Sequence, residues 1–295
     1  MTSELRSAGW GVERRPFDLR LQWGVTDRQG RSALPTRVRL FPRLTGANLV
    51  AELPGSGPGP VVVVGAHLDT VQGSPGADDN ASGVAAVLEL ARLLGQLPRR
   101  PAVVLLLSDM EELGFVGARA AARDLARGRH VKGMLCLESV GFYSDEPGSQ
   151  RLPGGFPLLF SEAVRQVRAR DGRGDCAFVV HRRSSQAAAD FWVRAAEQAG
   201  PRLKGIALRD PRPDGFLGSL AGLVVPPLNN LGRSDHAAFW NRGIPALMVT
   251  DSADFRNRHY HRPGDTPATL DYDRLAAVVA ATAATAVFWA PSRGS

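Results

Sequence analysis

Cysteine and lysine are nearly missing from this chain of 295 residues. Cys136 and Cys176 are the only cysteines. That excludes a disulfide framework, and no thiolate motif argues for a structural zinc site. Cys136 lies in the apolar run VKGMLCLESVG, where a buried free thiol is the plain expectation, and both cysteines fit a reducing compartment. Lys132 and Lys204 are the only lysines, so the other basic residues among the 36 are arginine. The formal charge of +7 invites a nucleic-acid partner, but the arginines are scattered rather than striped. Only 7% of residues are aromatic. A nucleic-acid groove needs a basic stripe interleaved with stacking side chains, so no nucleic-acid binding is expected.

Long apolar runs are also absent. The N-terminal stretch MTSELRSAGWGVERR is charged early and has no apolar core of a signal peptide, which predicts a cytoplasmic protein. The longest uncharged stretch near the end, LAAVVAATAATAVFWAPS from Leu275, is rich in Ala and Thr. It is shorter than the roughly 20 strongly apolar residues that a membrane span needs. It predicts an ordinary packed C-terminal helix and no membrane association.

What is present is enough apolar residue, 44%, for one large core, with no composition break or internal repeat. The expectation is a single domain over residues 1–295. From Trp10 to Ala51 the pattern suggests short strands, GWGVERRPFDL, RVRLFPRL and ANLVAEL, parted by turn residues. PVVVVGAHLDTV then reads as a strand buried on both faces. The loop QGSPGADDNASG leads into the helical spacing of VAAVLELARLLGQL, with Asn80 and Ser82 placed for its N-cap. PAVVLLLSDM is a second buried strand, EELGFVGARAAARDLA a loop and helix, and MLCLESVGF a third strand. Alternating strand and helix means βαβ units and a mostly parallel sheet. The fold class expected is α/β, a three-layer α/β/α sandwich around a mostly parallel, mixed central sheet. Ligands gather outside the carboxyl ends of such strands. The Pro-, Gly- and Asp-rich segments 143–157 and 207–233 are possible lids over that edge.

The chemistry-bearing residues fall on that edge. His67 and Asp69 close the VVVV strand, and residues i and i+2 of an extended segment point the same way, so Asp69 is placed to orient His67. Asp78 and Asp79 are adjacent carboxylates in a glycine-flanked loop. As a turn they are ordinary, but they repel unless a cation lies between them. Glu111 and Glu112 follow the second strand, and Glu138 ends the third, where burial of a carboxylate needs a counter-charge. Asp235, His236, His259 and His261 cluster in LGRSDHAAFW and DFRNRHYHRPGDT, with Asp265 just beyond. Histidines converging with strand-end carboxylates point to a metal centre. Carboxylate and imidazole ligands suit zinc, and also manganese or cobalt. His67, Asp78, Glu112, Glu138 and His261 are too many for one catalytic zinc with an open position, but suit two ions sharing a bridge.

GAHLDTV, GSPGADDNASGVAAVLELAR, EELGFVGARA, LESVGF, SDHAAFW and HYHRPGDTPATLDY occur in that order over nearly the whole chain. Together they resemble the zinc aminopeptidase family of two-metal exopeptidases that includes bacterial leucyl aminopeptidase, with glutamate carboxypeptidase II and glutaminyl cyclase as relatives. The resemblance implies one ion held by His67 and Glu138, the other by Glu112 and His261, and Asp78 as the bridge. It implies Glu111 as general base, Asp69 as the partner of His67, and a cis peptide at Asp78–Asp79. Some members place a Tyr three residues before SDH, where this chain has Leu231. Oxyanion stabilisation then falls to the metal, Arg233, Asn229, Asn230 or a lid residue. The expected activity is removal of the N-terminal residue of a peptide or small amide by metal-activated water. The rival readings are a carboxypeptidase or dipeptidase, for which Arg233, Arg256, Arg258 and Arg262 flank the motifs, a glutaminyl cyclase, and a non-catalytic binding relative.

Overall fold

The computed structural model describes residues 1–26, 37–54, 57–98, 100–200, 202–215, 217–218 and 225–291. The β-branched runs form strands of one mixed sheet. These are β1 (Gly11–Thr26), β2 (Arg37–Glu52), β3 (Val61–His67), β4 (Val103–Ser108), β5 (Val131–Glu138), β6 (Cys176–His181), β7 (Lys204–Arg209) and β8 (Ala246–Thr250). Their spatial order is β1-β2-β4-β3-β5-β8-β6-β7. The centre, β4-β3-β5-β8, is parallel, β2 and β6 run antiparallel to it, and β6 and β7 are parallel to each other.

Helices cover both faces. They are α1 (Thr2–Ser7), α2 (Gly83–Gly95), α3 (Val116–Gly128), α4 (Phe156–Leu159), α5 (Ser161–Arg168), α6 (Gln186–Ala199), α7 (His236–Trp240) and α8 (Tyr272–Trp289). Alternation along β3 shows how the sheet serves two cores at once. Val62, Val64 and Ala66 pack with α2, α6 and α8, whereas Val61 and Val63 pack with α3, α5 and α7. All four valines are fully buried, each contributing about 1.5–3 kcal/mol by leaving water. This is the α/β architecture with helices on both sides that the alternating motifs predict.

Two local expectations change. The segment Trp10 to Ala51 holds two 16-residue strands rather than several short ones, joined in register from Gly11↔Glu52 to Thr26↔Arg37. Of the turn signals that suggested breaks, DRQGR lies at 27–31, outside the described residues, and PGSGPGP at 54–60 follows the end of β2. The expected lid segment 207–233 begins inside β7, and its residues 216 and 219–224 are outside the described residues. The C-terminal helix forms as expected from Tyr272 to Trp289, started by the Asp271 side chain accepting the Arg274 N–H at 2.9 Å. No described helix is long and apolar enough to cross a membrane.

The parallel centre decides where the chemistry sits. His67 is the last residue of β3 and pairs with Ser108, the last of β4; Glu138, the last of β5, pairs with Thr250, the last of β8. Four strands therefore end together at one carboxyl edge, as strand-end ligand binding in open α/β sheets requires.

Candidate metal centre

His67 leaves the sheet 1% exposed. Its Nδ1 lies 3.0 Å from the Asp69 backbone carbonyl and 3.5 Å from Asp69 Oδ1. Asp69 does orient the imidazole, mainly through its carbonyl. The Asp69 carboxylate acts elsewhere, where Oδ1 accepts the Glu111 N–H at 3.0 Å and Oδ2 the Glu112 N–H at 3.1 Å. One aspartate thus ties the ends of β3 and β4 together and sets both glutamates.

The loop after β3 turns Asp79, rather than the expected Asp78, toward the histidines. Gly76, at φ +67°, turns the chain, and a Cβ there would lie 2.6 Å from Thr70 Oγ1. Asp265 then accepts the N–H groups of Asp78 (2.9 Å) and Asp79 (3.2 Å), fixing the two carboxylates in different directions. Asp78 faces protein donors, Gly141 N–H and Asn257 Nδ2, both at 2.9 Å. It is Asp79 whose Oδ1 lies 3.1 Å from His67 Nε2 and whose Oδ2 lies 3.0 Å from His261 Nε2. The cis peptide likewise falls at Asp79–Asn80. Of the two expected capping residues, Asn80 caps the helix start, whereas Ser82 sits in helical backbone with no cap bond of its own. Asn80 Oδ1 accepts Gly83 N–H at 3.2 Å, and Ser82 Oγ donates to the Asp78 carbonyl at 2.7 Å.

The remaining acids complete two groups. His67, Glu111 and Glu138 offer donor atoms within 4.8 Å of one another, as do Asp79, Glu112 and His261. Glu138 Oε2 is 3.2 Å from His67 Nε2, and Glu112 Oε2 is 3.3 Å from His261 Nε2. Several of the residues that deliver these side chains have backbones in the left-handed region: Met110 (φ 57°), Ser139 (φ 47°) and His261 (φ 56°). Non-glycine residues enter that region at a cost, and such strain gathers at functional sites.

Electrostatics supports a cation between these groups. With Nδ1–H donating to the Asp69 carbonyl, His67 Nε2 would turn a lone pair toward two carboxylates. Among the described residues, neither His67 Nε2 nor either Asp79 oxygen nor Glu112 Oε1 has a hydrogen-bond partner, although all are buried. Burial disfavours the imidazolium of His67, yet Glu138 and Glu111 outweigh it and hold its pKa well above the usual value. His261, also opposed by burial, is pushed up to about 10 by Asp79 and Glu112. Burial raises the Asp79 pKa and the two imidazoles overcome it, holding the carboxyl low. Burial pushes the Glu111 carboxyl well up, against the pull of His67. These are the marks of a donor set that needs positive charge, and imidazole plus carboxylate is a set that zinc accepts.

The other expected residues divide. Asp235 accepts from Ser108 Oγ at the end of β4, and its neighbour Ser234 donates to Glu138 Oε2 at 2.7 Å. His236 does not join the centre: it is buried between the Leu231 carbonyl, which lies 2.8 Å from Nε2, and the edge of Trp240. His259 also turns away, accepting Arg258 Nε at 3.2 Å. Arg233 pairs with Asp254 at 2.9 Å. Arg256 is buried on Gln150 Oε1 and the carbonyls of Phe142 and Cys176. Two features escaped the motif reading. Tyr260, directly before His261, stacks on that imidazole at 3.9 Å. Burial, then Asp79, push its hydroxyl pKa well up, Arg233 opposing, so it is a neutral donor. Its adjacency to His261 was the available signal. The second is a buried Arg182–Asp210–Arg212 cluster with bonds of 3.2 and 2.9 Å. Arg212 Nη2 also holds the Leu228 carbonyl at 2.8 Å. That cluster anchors the chain that delivers Arg233, Ser234 and Asp235, and no local motif announces it.

The sequence pattern of Peptidase family M28 matches residues 48–195 and 219–286. Uncharacterized protein YfbL of Escherichia coli is 37% identical over 245 residues, covering 79% of this chain and 68% of that protein. Leupeptin-inactivating enzyme 1 of Streptomyces exfoliatus is 37% identical over 218 residues, covering 72% of this chain, which spans only 37% of that relative's length. Among solved structures, the LapA aminopeptidase of Legionella pneumophila has a TM-score of 0.63 at 16% identity, covering 98% of this chain and 63% of that one. The glutaminyl cyclase of Porphyromonas gingivalis has a TM-score of 0.58 at 18% identity, covering 96% and 85%. BSAP, a zinc aminopeptidase from Bacillus subtilis, has a TM-score of 0.55 at 20% identity, covering 87% and 53%. The structural likenesses show a shared fold, and the sequence matches, spanning most of the chain, go further: it belongs to peptidase family M28.

Proposed function

We propose that the chain is a two-metal aminopeptidase that hydrolyses the N-terminal peptide bond of peptides. The observation that carries this reading is the Asp79 carboxylate, with one oxygen toward His67 and the other toward His261, Glu138 and Glu112 flanking it. In this reading His67 and Glu138 hold one ion, Glu112 and His261 the other, and Asp79 is shared between them. The description of the Bacillus subtilis neighbour as a zinc aminopeptidase supports zinc. Two bound divalent ions would acidify water and polarise the scissile carbonyl.

The chain's own residues supply the rest. Glu111 takes the proton of the attacking water and passes it to the leaving amine. Its position is set by the Asp69 carboxylate on its N–H, and its carboxylate belongs to the His67 and Glu138 group. The Tyr260 hydroxyl donates to the developing oxyanion, the role left open by Leu231. Ser234 and Ser139 hold the Glu138 carboxylate at 2.7 and 3.2 Å, and Asp265 holds the Asp79 backbone. A carboxypeptidase would need a guanidinium for the substrate's carboxylate. Of the four arginines flanking the motifs, Arg256 is committed to three protein acceptors and Arg233 to Asp254, which counts against these two in that role.

The test is metal content together with hydrolysis of free-amine and N-blocked chromogenic substrates, before and after chelation. Two ions per chain and chelator-sensitive release from free-amine substrates are expected. Cleavage of N-blocked or carboxyl-terminal substrates instead would replace the aminopeptidase reading with a carboxypeptidase one.

A further inference from the structure

Glu111 and Glu112 stand on one loop, residues 109–115, between the end of β4 and the start of α3. Backbone bonds draw its ends together, Val116 N–H to the Met110 carbonyl at 3.0 Å and Gly117 N–H to the Asp109 carbonyl at 2.9 Å. Met110 (φ 57°) and Phe115 (φ 60°) take left-handed backbone within it. Such backbone persists at a non-glycine residue only where the surroundings over-determine it.

Part of that constraint comes from β2. Asn48, 2% exposed, is the residue before Leu49, which pairs with Leu107 of β4, so its side chain meets the chain just as β4 ends. Asn48 Oδ1 accepts the Asp109 N–H at 3.1 Å, and Nδ2 donates to the Gly117 carbonyl at 2.9 Å. One carboxamide therefore holds the first residue of the loop and the second residue of α3. The two bonds also fix which way the amide faces, since only its oxygen accepts and only its nitrogen donates. Gly117 leaves the room this needs: a Cβ there would lie 2.4 Å from Asn48 Oδ1 and 2.2 Å from the Asp109 carbonyl oxygen. The same strand grips residue 109 a second time, Asp109 Oδ2 accepting the Ala47 N–H at 3.1 Å. Phe17 of β1 and Leu44 of β2 pack with Val116 of α3, and Met110 and Leu113 of the loop lie against them.

We propose that Asn48 is a positioning residue for the reaction, its carboxamide fixing where the loop places the Glu111 and Glu112 carboxylates. The inference rests on the aminopeptidase reading, in which Glu111 is the base and Glu112 a metal ligand. Asp69 holds the middle of the loop from the end of β3, through the Glu111 and Glu112 N–H groups. Asn48 holds its two ends from β2. With one anchor the loop can rock about it, and with both it cannot. Without the carboxamide, the Asp109 N–H and the Gly117 carbonyl lose their side-chain partner and the left-handed turns relax. A reacting group moved by about 1 Å can lose about 10²-fold in rate. Asn48 is buried against protein groups, so the effect falls on kcat rather than KM.

The experiment compares the full chain with Asn48→Ala, Asn48→Asp and Val50→Ala. Val50 is also 2% exposed, two residues along the same strand, and controls for lost packing alone. Asn48→Asp keeps the acceptor for the Asp109 N–H, loses the donor to Gly117, and carries the test should Asn48→Ala not fold. Three quantities are read below the melting temperature of each variant. These are zinc affinity by equilibrium dialysis, amide hydrogen exchange over residues 109–117 of the metal-free chain, and kcat and KM at saturating zinc. The substrate is an aminoacyl p-nitroanilide that the wild type cleaves. Asn48→Ala is expected to lower kcat by about 10–100-fold with KM little changed. Its zinc affinity should fall by about tenfold or more through Glu112, and the Val116 and Gly117 amides should exchange faster. Asn48→Asp falls between it and the wild type, whereas Val50→Ala melts lower but keeps wild-type kcat and zinc affinity. A folded Asn48 variant with wild-type kcat and zinc affinity overturns the role. An equal loss of kcat in Val50→Ala overturns it too, reducing Asn48 to packing. If the wild type cleaves no free-amine substrate, the aminopeptidase reading falls, and zinc affinity and exchange decide the role of Asn48. Weakened binding with faster exchange in Asn48→Ala then supports it, and unchanged values overturn it.

Discussion

Replacing each of the two adjacent aspartates by asparagine tests which of them is the carboxylate shared in the proposed two-metal centre. Asp79 is 2% exposed and offers one oxygen to each donor group, at 3.1 Å from His67 Nε2 and 3.0 Å from His261 Nε2. Asparagine keeps the shape but carries no charge and only one oxygen. Changes that merely disturb the partners of a metal ligand cost about 10–100-fold in affinity, so loss of a carboxylate shared by both groups should exceed ~100-fold. Asp78 is as deeply buried but points at Gly141 N–H and Asn257 Nδ2. An asparagine there accepts from one donor and opposes the other with its NH₂, a loss of about 1–3 kcal/mol of stability. Part of that is returned, because burial already pushes the Asp78 pKa up to about 6 and the nearby Asp251 carboxylate is also buried. Equilibrium dialysis against buffered zinc, followed by metal analysis and urea unfolding of the apo chains, reads both effects. The expected result is Asp79→Asn weakened in zinc affinity and Asp78→Asn destabilised but loaded. Full loading of Asp79→Asn beside an empty Asp78→Asn would return the bridge to Asp78.

Three further outcomes follow from the geometry. Glu111→Gln should lower kcat by ~10²–10⁴-fold while zinc content stays at the wild-type level; a parallel loss of zinc would make Glu111 a ligand instead of a base. Asp210→Ala takes the counter-charge from buried Arg212 and leaves Arg182 only the Asp214 contact at 3.7 Å, the two being 7% and 2% exposed, and should cost about 3–5 kcal/mol in urea unfolding. A loss below about 1 kcal/mol, the range of an exposed pair, would remove that cluster as the anchor of the segment before Arg233. His236, lowered from 6.5 to about 4 by burial, is neutral when folded and charges on unfolding. Its contribution is present above the unfolded pKa and is lost as pH falls from about 6.5 toward 4, by about 2 kcal/mol between pH 7.5 and 5. The pH dependence of stability in wild type minus that in His236→Gln should show this slope, and parallel curves would contradict it.

How far the motifs could be read depended on whether a neighbour in sequence was also the neighbour in space. His67, Glu112, Glu138 and His261 lie where strand-end positions and motif order place them, because parallel register brings the ends of β3, β4, β5 and β8 to one edge. Asp78 and Asp79 could not be told apart, since consecutive loop residues point differently and Asp265, 186 residues further on, decides which one faces the histidines. His236 and His259 share a cluster in sequence with His261 and yet turn away from it, one to Leu231 and Trp240, the other to Arg258.

The α/β class, the buried strands and the packed C-terminal helix were legible from residue order, because period and β-branched runs are local properties read within a few residues. So was the meeting of carboxylates and imidazoles at one strand edge, since that follows from parallel strands alone. Long-range packing was needed to turn Asp79 rather than Asp78 toward the histidines, and to let Asp69 hold both glutamates through their backbone N–H groups. The same packing paired Arg233 with Asp254 beside an apolar cavity. Those outcomes rest on single hydrogen bonds between residues far apart in the chain, whose partners are chosen when the sheet brings their loops together.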